Sequence, residues 1–302
     1  MIKQSLKILF IFILGVFLIP SISQAKSKEI YAVKCEINYC GEDIQAFYMK
    51  DALFIKLRDF LDFFDKQNDS FVNYDSKSNS VMLNIQPKML KMKNSIKIKP
   101  VKSDKKIKIF NSSHKLIAYS KENKDNGKKQ EIKGMQMYLI NGDNYVPLKE
   151  ICEIYKIPMS QKSEYITLNT SEISKVNDKK FTLDNKTIGC QSMNIEVITD
   201  EDLNIKSFIV IGKLKEDILD TIIKNISSQG PEDPLKNEPY KGTVIVNIKA
   251  DKDDDITFTF IPENKIGEKY YVSYGIGNGK TKYKNLSVNV GEKILGLLNG
   301  SK

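Results

Sequence analysis

Ala52-Leu53-Phe54-Ile55-Lys56-Leu57-Arg58-Asp59-Phe60-Leu61-Asp62-Phe63-Phe64 and Asp143-Asn144-Tyr145-Val146-Pro147-Leu148-Lys149-Glu150-Ile151-Cys152-Glu153-Ile154-Tyr155 are two versions of one pattern. Ile55 matches Val146, Leu57 matches Leu148, Arg58 matches Lys149 and Phe64 matches Tyr155, all at a constant offset of 91 residues. Apolar side chains recur at helical spacing in both. Leu57, Phe60, Leu61 and Phe64 share one face, as do Leu148, Ile151, Cys152 and Tyr155. Strand-like sequence flanks each run. Residues 31–37 precede the first; residues 137–140, followed by the turn-forming Asn141-Gly142, precede the second. Residues 80–85 and 165–168 follow them as strands. The chain thus predicts a strand, turn, strand, helix, strand unit used twice, with chance similarity of two amphipathic helices as the alternative.

The helix start Tyr145-Val146-Pro147-Leu148-Lys149, with its apolar helix and following strand, resembles the copper amine oxidase N-terminal-like domain, or stalk domain, of secreted and surface proteins of Gram-positive bacteria. That family opens its helix with Tyr-Val-Pro-Leu-Arg and follows it with a Trp-Asp turn. In the first unit Lys56 stands in place of the Pro, and Tyr74-Asp75 in place of Trp-Asp. A Pro suits a helix's first turn, where its missing N–H had no partner. The resemblance covers residues 26–170 and implies a structural or binding role at the cell envelope.

The second half reads differently. After a linker at residues 171–191, strand-like runs at 207–213, 243–248, 256–260, 269–275 and 285–288 recur between Gly, Pro and Asp turns. That is the signature of an antiparallel sandwich. Asp253-Asp254-Asp255-Ile256-Thr257-Phe258-Thr259-Phe260 followed by Gly267-Glu268-Lys269-Tyr270-Tyr271-Val272 resembles bacterial immunoglobulin-like modules. Residues 213–228 are ambiguous. Leu214, Ile218, Ile222 and Ile226 have helical spacing, but 221–226 also reads as a strand, which the sandwich favours. The expected fold class is α+β: a duplicated strand-strand-helix-strand stalk-type domain over residues 26–170, then an all-β immunoglobulin-like sandwich over 192–302.

Lys3 and Lys7 precede an apolar run at residues 8–19. It is shorter than the roughly 18 residues a membrane span needs. Pro20 ends it, and Ser23-Gln24-Ala25 supplies a small-x-small cleavage pattern. Residues 1–25 therefore predict a signal peptide, and the mature chain is expected outside the cell without a transmembrane anchor. Cys35, Cys40, Cys152 and Cys190 permit three full pairings. Cys35 and Cys40 flank a turn, where a local bridge stays open; Cys152 reads as a buried thiol.

Of the net charge of +9, the signal's two Lys account for part. Residues 26–170 carry 26 basic and 18 acidic residues, whereas 171–302 carry 19 and 20. Between residues 88 and 130, 14 Lys face only Asp104, Glu122 and Asp125. In Ile96-Lys97-Ile98-Lys99 and Lys106-Ile107-Lys108-Ile109, period-two geometry puts the Ile on one side and Lys97, Lys99, Lys106 and Lys108 on the other. If these strands pair, the four Lys form one patch, the candidate polyanion site. Outside a cell its partners are wall polymers, membrane surfaces or acidic glycans, not nucleic acid. A solvated face in a Lys-rich chain is the plainer reading.

No catalytic constellation is legible. His114 is the chain's one histidine, which excludes a three-His metal centre and so the copper of an amine oxidase, despite Asn73-Tyr74-Asp75. Tyr74 reads as a turn-adjacent core residue. His114 follows Ser112-Ser113, but sequence neighbours on a strand point oppositely, and no nucleophile elbow exists. Gly275-Ile276-Gly277-Asn278-Gly279-Lys280-Thr281 mimics a phosphate loop, but Tyr274 stands where its first Gly belongs. It reads as a hairpin loop. Asp251-Lys252-Asp253-Asp254-Asp255 starts like an EF-hand, then has Ile256 and Pro262 where Gly and Glu are needed; weak calcium binding stays open. No cofactor and no metal site are assigned. The expectation is a non-catalytic envelope protein that contacts a wall polyanion or a surface protein. The alternatives are an adhesin using an aromatic patch at Tyr270, Tyr271 and Tyr274, or a cell-wall hydrolase with a carboxylate pair in a cleft.

Overall fold

The computed structural model describes residues 30–39, 42–49, 51–62, 72–85, 95–120, 128–162, 165–168, 179–226, 241–250, 255–262, 270–277, 279 and 281–300. The chain divides into two units, Met1–Ile30 and Tyr31–Lys302. The first, Ile30 apart, lies outside the described residues, and with it the expected signal peptide.

Asn141 and Gly142 adopt positive φ, 50° and 87°. A pair of left-handed residues suits the twist of a two-residue hairpin. They close β10 (Tyr138–Ile140) onto β11 (Asp143–Pro147). Asp51, φ 65°, lies in the matching turn between β2 (Glu42–Met49) and β3 (Ala52–Lys56). Each hairpin runs directly into a helix, α1 (Leu57–Asp62) after β3 and α2 (Leu148–Ile154) after β11. Pro147 makes the second switch at the N-cap, with φ −63° and ψ 129°. Its ring fixes a φ that strand and helix both accept, and it brings no N–H to satisfy. A further hairpin follows each helix: β4 (Val72–Asp75) with β5 (Ser80–Asn84), and β12 (Met159–Gln161) with β13 (Ile166–Leu168).

The repeat is therefore structural, but the sequence misses β12 in the second unit and both β2 and β4 in the first, where the predicted opening strand at 31–37 is β1 (Ile30–Tyr39) and the hairpin partner of β3 is β2. β3 and β11 pair antiparallel, Ile55 opposite Val146, Phe54 opposite Pro147 and Lys56 opposite Tyr145. The 91-residue offset equates Ile55 with Val146, so the units meet about a local two-fold through that pair. Each helix also packs on the other unit's strand. The offset extends further back, equating Phe47 with Tyr138 and Phe54 with Tyr145. These four buried rings cluster, with Phe47 stacked on Phe54 at 5.0 Å and Tyr138 edge-on to Phe54 at 5.2 Å. They belong to a closed barrel, ordered β1 (Ile30–Tyr39), β2, β3, β11, β10, β7 (Val101–Asn111). Their alternate neighbours Ala46, Ile55 and Val146 point the other way, into a core shared with Leu57, Phe60, Leu148, Ile151 and Cys152 of the helices. Burial pushes the Tyr145 hydroxyl up to about 12, helped by Asp143 and Asp59.

The second half departs from the sandwich expectation. β14 (Lys180–Leu183), β15 (Lys186–Ile198), β16 (Ile205–Val210), β17 (Val244–Ala250), β18 (Ile256–Ile261), β19 (Tyr270–Ile276) and β20 (Lys282–Leu286) pair antiparallel. One face of this sheet is covered by α3 (Gly212–Ile226) and α4 (Val290–Gly300). Leu214, Ile218, Leu219, Ile222 and Ile226 of α3 and Val290, Ile294 and Leu298 of α4 share one core with Ile195, Val246, Phe258 and Tyr274 of the sheet. Residues 213–226 are thus helical. The strand preference of Ile222 and Ile223 gives way to a buried stripe that only a helical period can align. An all-β sandwich is replaced by a sheet with helices, so this half too is α+β.

The expected domain border also moves. β14 and the start of β15 occupy the predicted linker at 171–191, and residue 192 falls inside β15. One sheet runs on through both halves. β16 pairs parallel with β9 (Gln130–Lys133), which leads to β8 (Lys115–Tyr119), β5 and β4. Gly134, just past β9, makes that junction possible. Its φ is 90°, and a Cβ there would lie 2.2 Å from the Ile211 carbonyl oxygen.

Candidate functional site

Of the Lys residues singled out by sequence, Lys97 lies on β6 (Ile96–Ile98), Lys99 just after it, and Lys106 and Lys108 on β7. The alternation holds: Ile96, Ile98 and Ile109 are buried, while Lys97, Lys99, Lys106 and Lys108 are exposed. The condition for one compact patch is not met, because β6 pairs with β13 in a separate three-stranded sheet and β7 belongs to the barrel. What β7 presents is a row. Lys102, Asp104, Lys106, Lys108 and Phe110 alternate outward, all exposed. At about 6.7 Å per two residues, Lys102 to Lys108 spans roughly 20 Å. The row carries aromatic supports: Lys102 Nζ lies 4.5 Å from the Tyr48 ring centre and Lys108 Nζ 5.6 Å from that of Phe110. Lys97 lies 3.7 Å over Tyr165 on the other sheet. Such contacts fix long side chains with their charge still in water.

Where β7 ends, three elements converge on His114. Ser112 Oγ donates to Asn144 Oδ1 at 2.9 Å, and His114 Nδ1 lies 3.0 Å from the same oxygen. The His114 backbone N–H donates to Ser112 Oγ. From the β4–β5 turn, Asn79 Nδ2 donates to the Ser113 carbonyl, and Tyr74 OH donates to Asn79 Oδ1 at 2.9 Å. The Tyr74 ring lies 5.1 Å from the His114 ring, tilted by 56°. Tyr74 is turn-adjacent as expected but is not a core residue: it is 54% exposed, because β4 is the outer strand of its sheet. Sequence reasoning considered His114 beside Ser113 and missed Asn144, which lies 30 residues away and has no local signal.

The other predicted features resolve individually. Tyr274 is buried with its hydroxyl donating to Asp184, while Tyr270 and Tyr271, adjacent on β19, point to opposite faces, so the three form no common patch. A shallow depression of about 390 Å³ lies beside Tyr270, lined by Ser287, Asn289, Glu292 and Lys293. The Gly-rich run closes the β19–β20 hairpin and leads into a strand, not a helix. Asp251–Asp254 and Cys40 lie outside the described residues; Asp255 accepts from the Ala250 N–H and pairs with Lys249. Cys35, Cys152 and Cys190 are buried. Among the described residues no group of three His, Cys, Asp or Glu is placed to hold a metal. No helix there is long and apolar enough to cross a membrane.

A carboxylate pair does occur, on α2. Burial pushes the Glu150 carboxyl up, and Glu153 adds to the shift. Glu153 pairs at 2.5 Å with Lys215 of α3, whose side chain is buried. Gly212 packs against Glu150. The pair is thus built into the contact between α2 and α3, where Lys215 neutralises one carboxylate. Compared with family models, curated proteins and solved structures, the chain matches none.

Proposed function

We propose that this is a secreted, non-catalytic envelope protein of the stalk type, whose barrel presents a Lys row to linear anionic polymers of the cell wall. The observation carrying this reading is the outer row of β7. It puts three Lys and one Asp at even spacing along one extended strand, beside the exposed Val101, Lys105 and Phe110. Exposed charges contribute little singly, but a row of them attracts a polyanion in a salt-dependent way. A row of this length suits an extended chain better than a small ligand. The duplicated hairpin-helix unit supports the stalk resemblance. The ion pair of Glu153 with Lys215, which ties that carboxylate into the contact between α2 and α3, favours binding over wall hydrolysis.

The test is retention of residues 26–302 on purified cell walls across a salt series. Lys106→Gln/Lys108→Gln, on β7, is compared with Lys97→Gln/Lys99→Gln, on and just after β6. Retention should fall with salt, and the β7 variant should bind about tenfold more weakly at low salt. Salt-insensitive retention, or equal binding by the β7 variant and the wild type, would refute the proposal.

A further inference from the structure

The corner at His114 is independent of the Lys row and carries a different chemistry. Asn144 Oδ1 can only accept hydrogen bonds, so His114 Nδ1, 3.0 Å away, must carry the proton. In the neutral imidazole Nε2 is then an acceptor. Among the described residues neither His114 Nε2 nor Asn144 Nδ2 has a partner, and both side chains are only half-buried. Beside them stands the exposed Tyr74 ring, its hydroxyl held by Asn79. Asp75 accepts from Lys77 N–H and Ser78 Oγ, which braces the turn that carries Asn79. The corner therefore offers an aromatic wall, one amide donor and one imidazole edge, all pre-positioned.

We propose that this corner binds the ring of a neutral saccharide. A pyranose has an apolar C–H face that packs on an aromatic side chain, and its hydroxyls both donate and accept. One hydroxyl donates to His114 Nε2 while another accepts from Asn144 Nδ2. Losing the aromatic wall leaves two polar contacts that water replaces at little cost.

A single histidine makes the test unambiguous, because its ring signals report on this corner alone. Residues 26–302 are titrated with an N-acetylglucosamine tetramer and, separately, a glucose tetramer, while the His114 ring resonances are followed by NMR. At least one glycan should shift them, equally at low and high salt. Lys106→Gln/Lys108→Gln should leave the affinity unchanged, whereas Tyr74→Ala should weaken it at least about fivefold and Tyr74→Phe should not. Saturation transfer from the Tyr74 ring to sugar C–H protons tests the same contact in the wild type, whatever the variants do to folding. Absence of His114 shifts with both glycans, shifts that persist in Tyr74→Ala, or absence of transfer from Tyr74 would each overturn the proposal. Failure of the Lys row to bind walls would leave these outcomes untouched.

Discussion

Among the described glycines Gly134 has the tightest Cβ position, and the structure separates the cost of Gly134→Ala into parts. At φ 90° an alanine is strained by about 1–2 kcal/mol. The new Cβ would also lie 2.2 Å from the Ile211 oxygen, where real Cβ atoms essentially never come within 3.0 Å. The chain must give way by most of an ångström. That movement acts on the hydrogen bond from Ile211 N–H to the Lys133 carbonyl, 3.1 Å long, which contributes about 1 kcal/mol. The total is about 2–3 kcal/mol, a large part of an ordinary domain's stability. Gly142→Ala is the control. Its φ is 87°, but nothing lies within 4 Å of a Cβ there, so it should cost only about 1–2 kcal/mol. Urea unfolding followed by circular dichroism gives both losses. Hydrogen exchange should place the excess of Gly134→Ala at the β9–β16 junction. Equal losses in the two variants would refute the close approach, and with it the account of how one sheet joins the two halves.

Three further outcomes follow from buried charge. Lys215→Met should cost about 2 kcal/mol by leaving the part-buried Glu153 without its partner, and adding Glu153→Leu should recover most of that in a double-mutant cycle. Glu150 has a raised folded pKa, so its contribution favours folding below the unfolded value and is lost as pH rises through the folded one. Glu150→Gln should therefore stabilise the protein at neutral pH and change little in acid, as thermal melts across pH would show. At Glu131 burial pushes up, but Lys133, Lys206 and Lys115 outweigh it and hold the carboxyl below its usual range. That stabilisation is present above the unfolded value and lost as pH falls through the folded one, so Glu131→Gln should destabilise at neutral pH and flatten the acid limb of the same melts.

The parts of the fold legible in sequence were those encoded by local period. The alternation of Lys and Ile on β7, the Asn141-Gly142 turn and the stripe Leu148, Ile151, Cys152 each need only a few neighbouring residues to be read. The parts that were not legible depend on distant partners. Ile222-Ile223 reads locally as strand. It is helical because Leu214, Ile218 and Ile226 must reach the same sheet face. Residues 186–198 lay across an expected linker because nothing local announces that β15 pairs with β14, β16 and β17 at once. The parallel pairing of β16 with β9 joins residues more than 70 apart and leaves no trace but Gly134.

The same distinction explains why the two candidate sites differ in kind. The Lys row is a one-strand property, so local alternation finds Lys106 and Lys108, and the attraction proposed for it depends on charge density more than on any one side chain. The His114 corner needs the β4–β5 turn, the loop after β7 and the start of β11 to arrive together, and only folding brings them there. β11 is also the strand that pairs with β3 at the two-fold, where Val146 faces Ile55 two residues beyond Asn144. The duplication makes the units alike at their shared core but not at their surfaces. The offset sets Asn144 against Leu53, a buried apolar residue. An amide at that position in the second unit alone is what turns one copy of a repeated hairpin into an anchor for His114, so a site at this corner belongs to one unit and not to both.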